Sequence, residues 1–454
     1  MTIDSTWLSA FKEELPHAFT PKRATSVPAV FVDGQIKLMQ APQTTPQTWD
    51  EFIYRQFTRH LLDFYGQCKV VILAFDNYEH VPRAKCMTQA KRRKHIPVIP
   101  FAQHSELPCM VPDGQLWVQC MANRTFKTKV IDLILLRLPA LLLKDRPDRR
   151  LIVDYQQPAE YRFDEISRMV RSDAISELPV MGEADLKFTR YASRYGGLLV
   201  DSIDGDSIPI ALMHHELCLR RATPPPVVHV YRMELNREAP PKPSEDRKRT
   251  ADGDAKKTTT HPKKARAPRS YEFVNIHALY EGLKDVISQS VGRIVTPSHV
   301  GHEMAMLISL IALTGTDFSR NLPQMSGRSV YGWLPDLWPT LVMAYDPGQS
   351  ALRVDAATRH LVGLLYKIKF QRHVHSSELR RVLDDLQGAP QIAQRTKDSL
   401  PSFERIQCTV RNANWVLSYW TCEPAPDPIQ HAYGFRLLPS GCPEYDDDMT
   451  PEPS

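Results

Sequence analysis

Three short runs of apolar residues along the chain each end in an aspartate. They are Val27–Asp33, Val70–Asp76 and Gly197–Asp204. Continuous apolar runs of this length are typical of strands buried on both faces, as in a parallel sheet covered by helices. The segments Thr48–Tyr65 and Glu165–Arg171 lie between these runs and have helical spacing. The alternation predicts an α/β fold with a central, mainly parallel sheet flanked by helices.

Further helices are predicted elsewhere in the chain. Helical spacing recurs in Tyr271–Ile287 and His302–Leu313, and Ala351–Leu386 combines it with basic residues. The segment Trp117–Leu143 has basic residues ahead of an apolar helical pattern. It fits either an arch over a site at the sheet or a packing helix with a solvated start.

The composition places the chain among globular proteins. Its 454 residues are 42% apolar and 24% charged, which is typical of one large or two ordinary domains. No apolar stretch reaches the roughly 18 to 20 residues of a membrane span, and the N-terminus lacks the features of a signal peptide. The eight cysteines include no CxxC pair, so neither a disulfide framework nor a cysteine zinc site is predicted. We expect reduced thiols and no membrane partner.

The positive charge is concentrated in one segment. The formal net charge is +5, and the segment from Arg237 to Arg269 alone holds eleven Lys or Arg against five Asp or Glu. Residues 239–268 contain hardly an apolar side chain larger than alanine, which predicts a disordered basic insertion. Its clusters Lys248–Arg249 and Lys263–Arg266 resemble a bipartite signal for a nuclear import receptor. The alternative is a solvated polar linker in a cytoplasmic protein.

The insertion divides the predicted core. We expect the core to comprise residues 1–238 and 269–345. A smaller, mostly helical C-terminal region at 346–441 and a disordered acidic tail at 442–454 follow it.

The acidic residues near the strand ends are the strongest chemical signal. In an open parallel sheet, side chains at the carboxyl ends of the strands point into the crevice where ligands bind. Asp33 and Asp76 close two runs, and Asp204 and Asp206 follow the third. An isolated aspartate at a strand end is more often a helix N-cap. The recurrence favours a shared site, to which the acidic positions Glu183, Asp185 and Asp317 are added.

Clustered carboxylates favour a divalent cation. They repel one another unless a cation lies among them, and hard oxygen ligands suit Mg²⁺ or Mn²⁺. Two such ions can activate a water and stabilise the leaving oxygen of a phosphodiester. The sequence contains no GxxxxGK[ST] phosphate-binding loop. The carboxylates therefore predict a divalent-metal site of the kind that nucleases and polymerases use.

The acidic positions resemble those of the metal-dependent 5′-nuclease superfamily, which includes flap endonucleases, XPG-type repair nucleases and Xrn-type 5′-to-3′ exoribonucleases. The resemblance implies a PIN-like core with seven catalytic, metal-binding carboxylates, namely Asp33, Asp76, Glu183, Asp185, Asp204, Asp206 and Asp317. Asp185 stands where the family usually has a longer glutamate. The resemblance extends over about Val27 to Pro323, in separate motifs.

A basic segment after Asp76 resembles the Pro-Arg-Ala-Lys helix of the Xrn-type enzymes. It runs from Val81 to Lys94, and Lys85, Gln89 and Arg93 recur at intervals of four residues. On a helix they would share one face, and together they offer several donors to a 5′ phosphate. Lys85 would also offset negative charge in the transition state. The alternative is a solvated basic face.

The remaining motifs give weaker evidence about function. Gly315–Pro323 resembles an Xrn-type segment around the last aspartate, and the aromatic segment Asn414–Trp420 is either core or a base-stacking platform. The glycine-rich N-terminus of flap endonucleases has no counterpart, and their duplex-gripping element is reduced to Ser326–Arg328. The histidines of His214–Glu216 lack an evident third ligand, so they are interpreted as incidental.

The resemblance implies a 5′-to-3′ exonuclease that acts on 5′-phosphorylated single strands of RNA or DNA. Two alternatives stay open. One is a structure-specific, flap-type DNA endonuclease of replication or repair. The other is a catalytically silent relative that binds nucleic acid.

Overall fold

In the computed structural model of the protein, one large sheet is covered by helices on both faces. The structure describes residues 5–21, 27–40, 46, 48–66, 68–80, 96–144, 146–178, 180–202, 204–234, 270–291, 299–314, 334–361, 403–421, 435–437 and 443–445.

Nine strands of the described chain form the large sheet, in the order β1-β9-β8-β7-β2-β3-β4-β5-β6. Their bounds are β1 Phe19–Thr20, β2 Ala29–Asp33, β3 Val70–Ala74, β4 Arg150–Asp154, β5 Ala159–Asp164, β6 Met169–Ala174, β7 Gly197–Asp201, β8 Val227–Glu234 and β9 Ser270–Asn275. Two small antiparallel pairs lie outside this sheet, β10 Tyr345–Asp346 with β11 Ala351–Leu352, and β12 Phe435–Leu437 with β13 Pro443–Tyr445.

The five central strands β8, β7, β2, β3 and β4 are parallel. Antiparallel strands extend the sheet on both sides. The predicted α/β fold with a mostly parallel central sheet is confirmed, and the three apolar runs contain β2, β3 and β7. Phe31 and Ile72 pack into the core on one face, while Val32 and Leu73 pack into the core on the other. Burial on both faces explains why these runs are apolar at every position.

Helices supply the rest of both cores. Their bounds are α1 Ser5–Glu14, α2 Gly34–Met39, α3 Trp49–Ile53, α4 Arg59–Tyr65, α5 Gly114–Met121, α6 Arg124–Leu143, α7 Ala184–Tyr195, α8 Ser207–Arg220, α9 Ile276–Val291, α10 Glu303–Leu313, α11 Leu334–Ala344 and α12 Phe403–Trp420. One face of the sheet is covered by α3 to α6, and the other by α1 and α7 to α12. Within the described residues, none of the helices combines the length and the apolar character that a membrane span requires.

Several predicted helices are confirmed. The segment Thr48–Tyr65 contains α3 and α4, joined through the π-helical turn Tyr54–Thr58. The segment His302–Leu313 contains α10. The segment Trp117–Leu143 forms α6 and the end of α5, which separate where the Asn123 side chain accepts a hydrogen bond from the Phe126 N–H at 3.2 Å and caps α6.

The predicted helix at Glu165–Arg171 is wrong, because the segment contains the turn between β5 and β6. The carboxylate of Asp164 accepts hydrogen bonds from the backbone N–H groups of Ile166 at 2.9 Å and Ser167 at 3.4 Å. Arg168 has a positive φ of 54°. An aspartate turn of this kind competes with helix formation, and β5 and β6 then pair as a hairpin.

The predicted helix at Tyr271–Ile287 is wrong at its start. Residues Ser270–Asn275 form β9, which pairs antiparallel with β8. The Asn275 side chain accepts a hydrogen bond from the Ala278 N–H at 3.2 Å, so α9 begins directly after the strand. Pairing with β8 therefore overrides helical spacing in the first turn.

Helix α12 of the C-terminal region packs on the main core. Trp415 and Trp420 of α12 are 0% and 1% exposed and belong to the same apolar cluster as Phe31 of β2. Their burial supports the core interpretation of this aromatic segment over a stacking platform. In Ala351–Leu386, residues 351–352 form β11 and residues 354–361 are helical. The rest of that segment, the basic insertion and the acidic tail lie outside the described residues.

Candidate functional site

The carboxyl ends of four neighbouring parallel strands meet at one edge of the sheet. Asp33 of β2 lies opposite Ala74 of β3, and Ala74 lies opposite Asp154 of β4. On the other side, Val32 of β2 lies opposite Asp201 of β7. Because adjacent strands are about 4.8 Å apart, this register brings aspartates from separate parts of the chain to one edge.

Asp33 interacts with three other carboxylates. Burial raises the pKa of Asp33 well above its ordinary value, and the negative charge of Asp76 raises it further. A hydrogen bond from the Ile36 N–H acts in the opposite direction, while Asp185 and Asp204 again raise the pKa. Carboxylates from four segments are thus close enough to disfavour one another's charge.

Asp76 connects the end of β3 to the start of α7. Its Oδ1 accepts a hydrogen bond from the backbone N–H of Ala184 at 3.0 Å, and the Asn77 N–H donates to the Gly182 carbonyl at 2.6 Å. These bonds place Glu183 and Asp185 beside Asp76. Glu183 is only 1% exposed and stands at the N-cap position of α7, but its side chain does not cap that helix.

Asp204 and Asp206 lie in the turn between β7 and α8. The Asp206 N–H donates to Asp204 Oδ1 at 3.3 Å, and the Asp204 N–H donates to Ser202 Oγ at 3.2 Å. Asp206 is 2% exposed and occupies the N-cap position of α8 without a side-chain capping bond. Asp33, in contrast, caps α2 through its bond from Ile36 at 3.0 Å. Helix capping therefore accounts for Asp33 in part and for neither Glu183 nor Asp206.

Two further buried aspartates at this edge have cationic partners. Asp154 is 1% exposed, and its Oδ1 lies 3.1 Å from Lys187 Nζ. Its other oxygen contacts the Arg190 guanidinium and accepts a hydrogen bond from the Tyr191 hydroxyl at 2.8 Å. Lys187 also donates to the Phe75 carbonyl at 2.6 Å. Burial lowers the pKa of Lys187, and the charge of Asp154 acts against that shift.

Asp201 is neutralised in the same manner. Its carboxylate lies 2.5 Å from His60 Nε2 and 3.6 Å from Lys37 Nζ. Burial acts to raise the pKa of Asp201, but the bond from His60 and the charge of Lys37 outweigh it, so this pKa lies below its ordinary value. Sequence reasoning assigned no role to Asp154 or Asp201. For Asp154 the signal was present, because Leu151–Asp154 is another apolar run ending in aspartate.

A basic and aromatic group lies beside the acidic edge. Lys127 Nζ donates to the hydroxyl of Tyr78, two residues after Asp76, at 2.8 Å. Lys127 Nζ and the Arg124 guanidinium carbon lie 4.7 and 5.5 Å from the centre of the Tyr78 ring. Lys127 is buried, whereas Arg124 is exposed. The apolar side of α6 packs against the sheet, so this segment is a packing helix whose first turn reaches the site.

The oxygen donors at this edge fit a hard divalent cation. Among the described residues, Asp33 and Asp76 have no ion pair with a basic side chain, in contrast to Asp154 and Asp201. A cation among Asp33, Asp76, Asp185 and Asp204 would offset the repulsion that raises the pKa of Asp33. Carboxylate oxygens are the ligands that Mg²⁺ and Mn²⁺ prefer.

The remaining predicted site residues, Lys85, Gln89, Arg93 and Asp317, lie outside the described residues. Their roles stay predictions. No family model matches the sequence, and no curated protein matches it significantly.

Removal of the Asp154 carboxylate tests the neutralised pair. In Asp154→Ala, Lys187 would stay buried without its anion, so we expect the free energy of unfolding to fall by about 3–5 kcal/mol. Urea denaturation measures this change. The matched control is Arg162→Ala, which removes an exposed partner of Glu160 on β5 and should cost at most about 1 kcal/mol. Equal midpoints for Asp154→Ala and the wild type would contradict the assignment.

The raised pKa of Asp33 predicts a pH dependence of stability. In metal-free protein, the folded state keeps the Asp33 proton after the unfolded state has lost its own, at about pH 4. The free energy of unfolding should therefore decline as pH rises from there through the raised pKa, and Asp33→Asn should remove this decline while retaining an N-cap residue. Urea denaturation in EDTA across pH measures it.

The control for this experiment is Asp113→Asn, which changes an exposed aspartate that does not cap its helix. It should retain the slope of the wild type. If the curves of Asp33→Asn and the wild type are parallel, the carboxylates at this edge do not interact as described.

Proposed function

We propose that the protein is a divalent-metal-dependent nuclease with a PIN-like 5′-nuclease core. The observation that carries the proposal is the interaction of Asp33 with Asp76, Asp185 and Asp204, four carboxylates from separate segments at the carboxyl edge of parallel strands. Ligands of open α/β sheets bind at this edge. Charge repulsion among buried carboxylates disfavours the folded state. A bound cation would offset this repulsion and so explain why the carboxylates are grouped.

Six described carboxylates would hold the metal, together with Asp317 outside the described residues. They are Asp33, Asp76, Glu183, Asp185, Asp204 and Asp206. Two bound Mg²⁺ or Mn²⁺ ions supply an activated water and stabilise the leaving oxygen of a phosphodiester. Asp33 would release its proton as metal binds, because a ligating carboxylate must be ionised. Lys187 and Arg190 hold Asp154 in place beside them.

The basic side chains near the acidic edge would bind the nucleic acid. Arg124 is exposed at the start of α6 and lies over Tyr78, where a guanidinium can contact a phosphate of the strand. Lys85, Gln89 and Arg93 would bind the 5′ phosphate. The preferred reaction is 5′-to-3′ hydrolysis of 5′-phosphorylated single strands, and nuclear import through residues 248–266 belongs to the same proposal.

Loss of one metal-binding carboxylate should abolish cleavage. We expect Asp204→Asn and Asp206→Asn to reduce the rate by about 10²- to 10⁴-fold, because the substitution weakens metal binding and misplaces the nucleophilic water. The assay uses purified protein with Mg²⁺ or Mn²⁺ on end-labelled single-stranded RNA, single-stranded DNA and 5′-flap DNA.

Asp113→Asn is the control for this assay and should cleave at the wild-type rate. Circular dichroism and thermal unfolding establish that each variant is folded. Folded Asp204→Asn and Asp206→Asn proteins that cleave at the wild-type rate would show the metal site to be wrongly assigned. Wild-type protein that binds these substrates without cleaving any of them would identify a catalytically silent relative.

The 5′ end of the substrate should determine the rate. We expect faster cleavage of strands with a 5′ phosphate than with a 5′ hydroxyl, and Lys85→Glu should remove that difference because it reverses the charge at the proposed phosphate contact. Arg124→Ala should weaken binding of both substrates, with a smaller dependence on salt, since it removes a contact to the strand itself. Rates on matched oligonucleotides measure both effects.

Equal cleavage rates on strands with a 5′ phosphate and strands with a 5′ hydroxyl would contradict the exonuclease assignment. Cutting inside the strand or at a flap junction would then identify the flap-type endonuclease. Asp113→Asn serves again as the control, because it lies outside the proposed binding surface.

A further inference from the structure

A group of three potential metal ligands lies between α8 and α9. His215 is on α8, and His277 and Glu281 are on α9. One ligand atom from each residue can be chosen so that all three lie within 4.8 Å of one another. His277 and Glu281 are four residues apart and therefore share one face of α9. No residue close to His215 in the sequence is an evident third ligand, and the fold brings His277 and Glu281 to it from more than sixty residues away.

The spacing of the two histidines fits a tetrahedral metal ion. Nδ1 of His277 lies 3.5 Å from Nε2 of His215. In tetrahedral zinc sites with metal–nitrogen bonds of about 2.0–2.1 Å, neighbouring ligand atoms lie about 3.3–3.4 Å apart. The nitrogens are thus already at nearly the separation that a shared zinc ion requires.

His215 forms the buried side of the group. The residue is 3% exposed, and its ring lies 4.7 Å, centre to centre, from the ring of Tyr280. The ring of His277 lies 5.4 Å from it, centre to centre. Packing against these two rings holds the imidazole in place beside His277.

The opposite side of the group is open. His277 and Glu281 are exposed, which provides an entry path and room for a water ligand. The nearest cation on the helix is Lys284, whose Nζ lies 5.6 Å from the Tyr280 ring centre. Its charge disfavours a bound cation, and the Glu281 carboxylate offsets it.

This group lies away from the acidic edge. α8 starts beside Asp206, and His215 follows nine residues later, about 13 Å along the helix axis. α9 follows β9, which runs antiparallel to β8 and so ends at the amino edge of the parallel strands. His277 is the second residue of α9. A metal bound here is therefore distinct from one bound at Asp33.

We propose that His215, His277 and Glu281 form a zinc site that joins α8 to α9, with water as the fourth ligand. One ligand precedes the segment 235–269 and two follow it, so the ion links the two parts of the core on either side of that segment. Two histidines and a glutamate are a known ligand set for zinc. Bound zinc would stabilise the folded state, since the unfolded chain does not hold the three ligands together.

Cobalt titration tests this site. The full-length protein is titrated with Co²⁺ in excess Mg²⁺, which would compete for the proposed site at the acidic edge. The visible absorption of tetrahedral Co²⁺ is followed and then reversed with Zn²⁺. We expect His277→Ala and Glu281→Gln to weaken Co²⁺ binding by more than about tenfold. Loss of a residue that only hydrogen-bonds to a metal ligand already weakens metal binding by about tenfold. Zn²⁺ should raise the melting temperature of the wild type, and both substitutions should reduce that rise.

His104→Ala and Asp285→Asn are matched controls. His104 is an exposed histidine elsewhere on the surface, and Asp285 is exposed one turn beyond Glu281; both variants should behave as the wild type. The proposal is overturned if the wild type shows no tetrahedral Co²⁺ absorption, or if His277→Ala retains it at unchanged affinity. Loss of the absorption in Asp33→Asn but not in His277→Ala would also overturn it, because the ion would then lie at the acidic edge.

Discussion

Four neighbouring parallel strands end at one edge of the sheet, and an aspartate removed from water closes or closely follows each of them. Asp33, Asp76, Asp154 and Asp201 are all at most 6% exposed. Burial of an ionised carboxylate costs free energy unless a positive group compensates it. The surrounding residues therefore have to supply positive groups that compensate these carboxylates. A carboxylate without such a group is expected to hold a proton or to bind a metal ion.

The four aspartates differ in how they are compensated. Asp154 on β4 pairs with a lysine and an arginine, and Asp201 on β7 pairs with a lysine and a histidine. The central strands β2 and β3 lead to Asp33 and Asp76, and the charges of described residues that act on Asp33 are negative. The ion pairs compensate the carboxylates of Asp154 and Asp201, and the centre is where a cation would be stabilised most. The divalent-metal nuclease that we propose would make use of this division.

The sequence predicted those features that depend on local pattern. The apolar runs identified β2, β3 and β7 as buried parallel strands, and their terminal aspartates indicated the edge at which they meet. The Glu165–Arg171 helix failed because the Asp164 turn and pairing with β5 decided the structure there. Contacts between residues that lie far apart in the sequence could not be predicted from local pattern. Nothing near His215 in the sequence points to His277, because only the packing of α8 on α9 brings them within 3.5 Å.

Diffraction from crystals grown with Mn²⁺, recorded at the manganese absorption edge, tests the central claim most directly. The account predicts one or two anomalous peaks among the carboxylates of Asp33, Asp76, Asp185 and Asp204, and loss of those peaks in folded Asp33→Asn crystals. Full occupancy by Mn²⁺ elsewhere on the protein, with no peak at the carboxyl edge of β2 and β3, would contradict it.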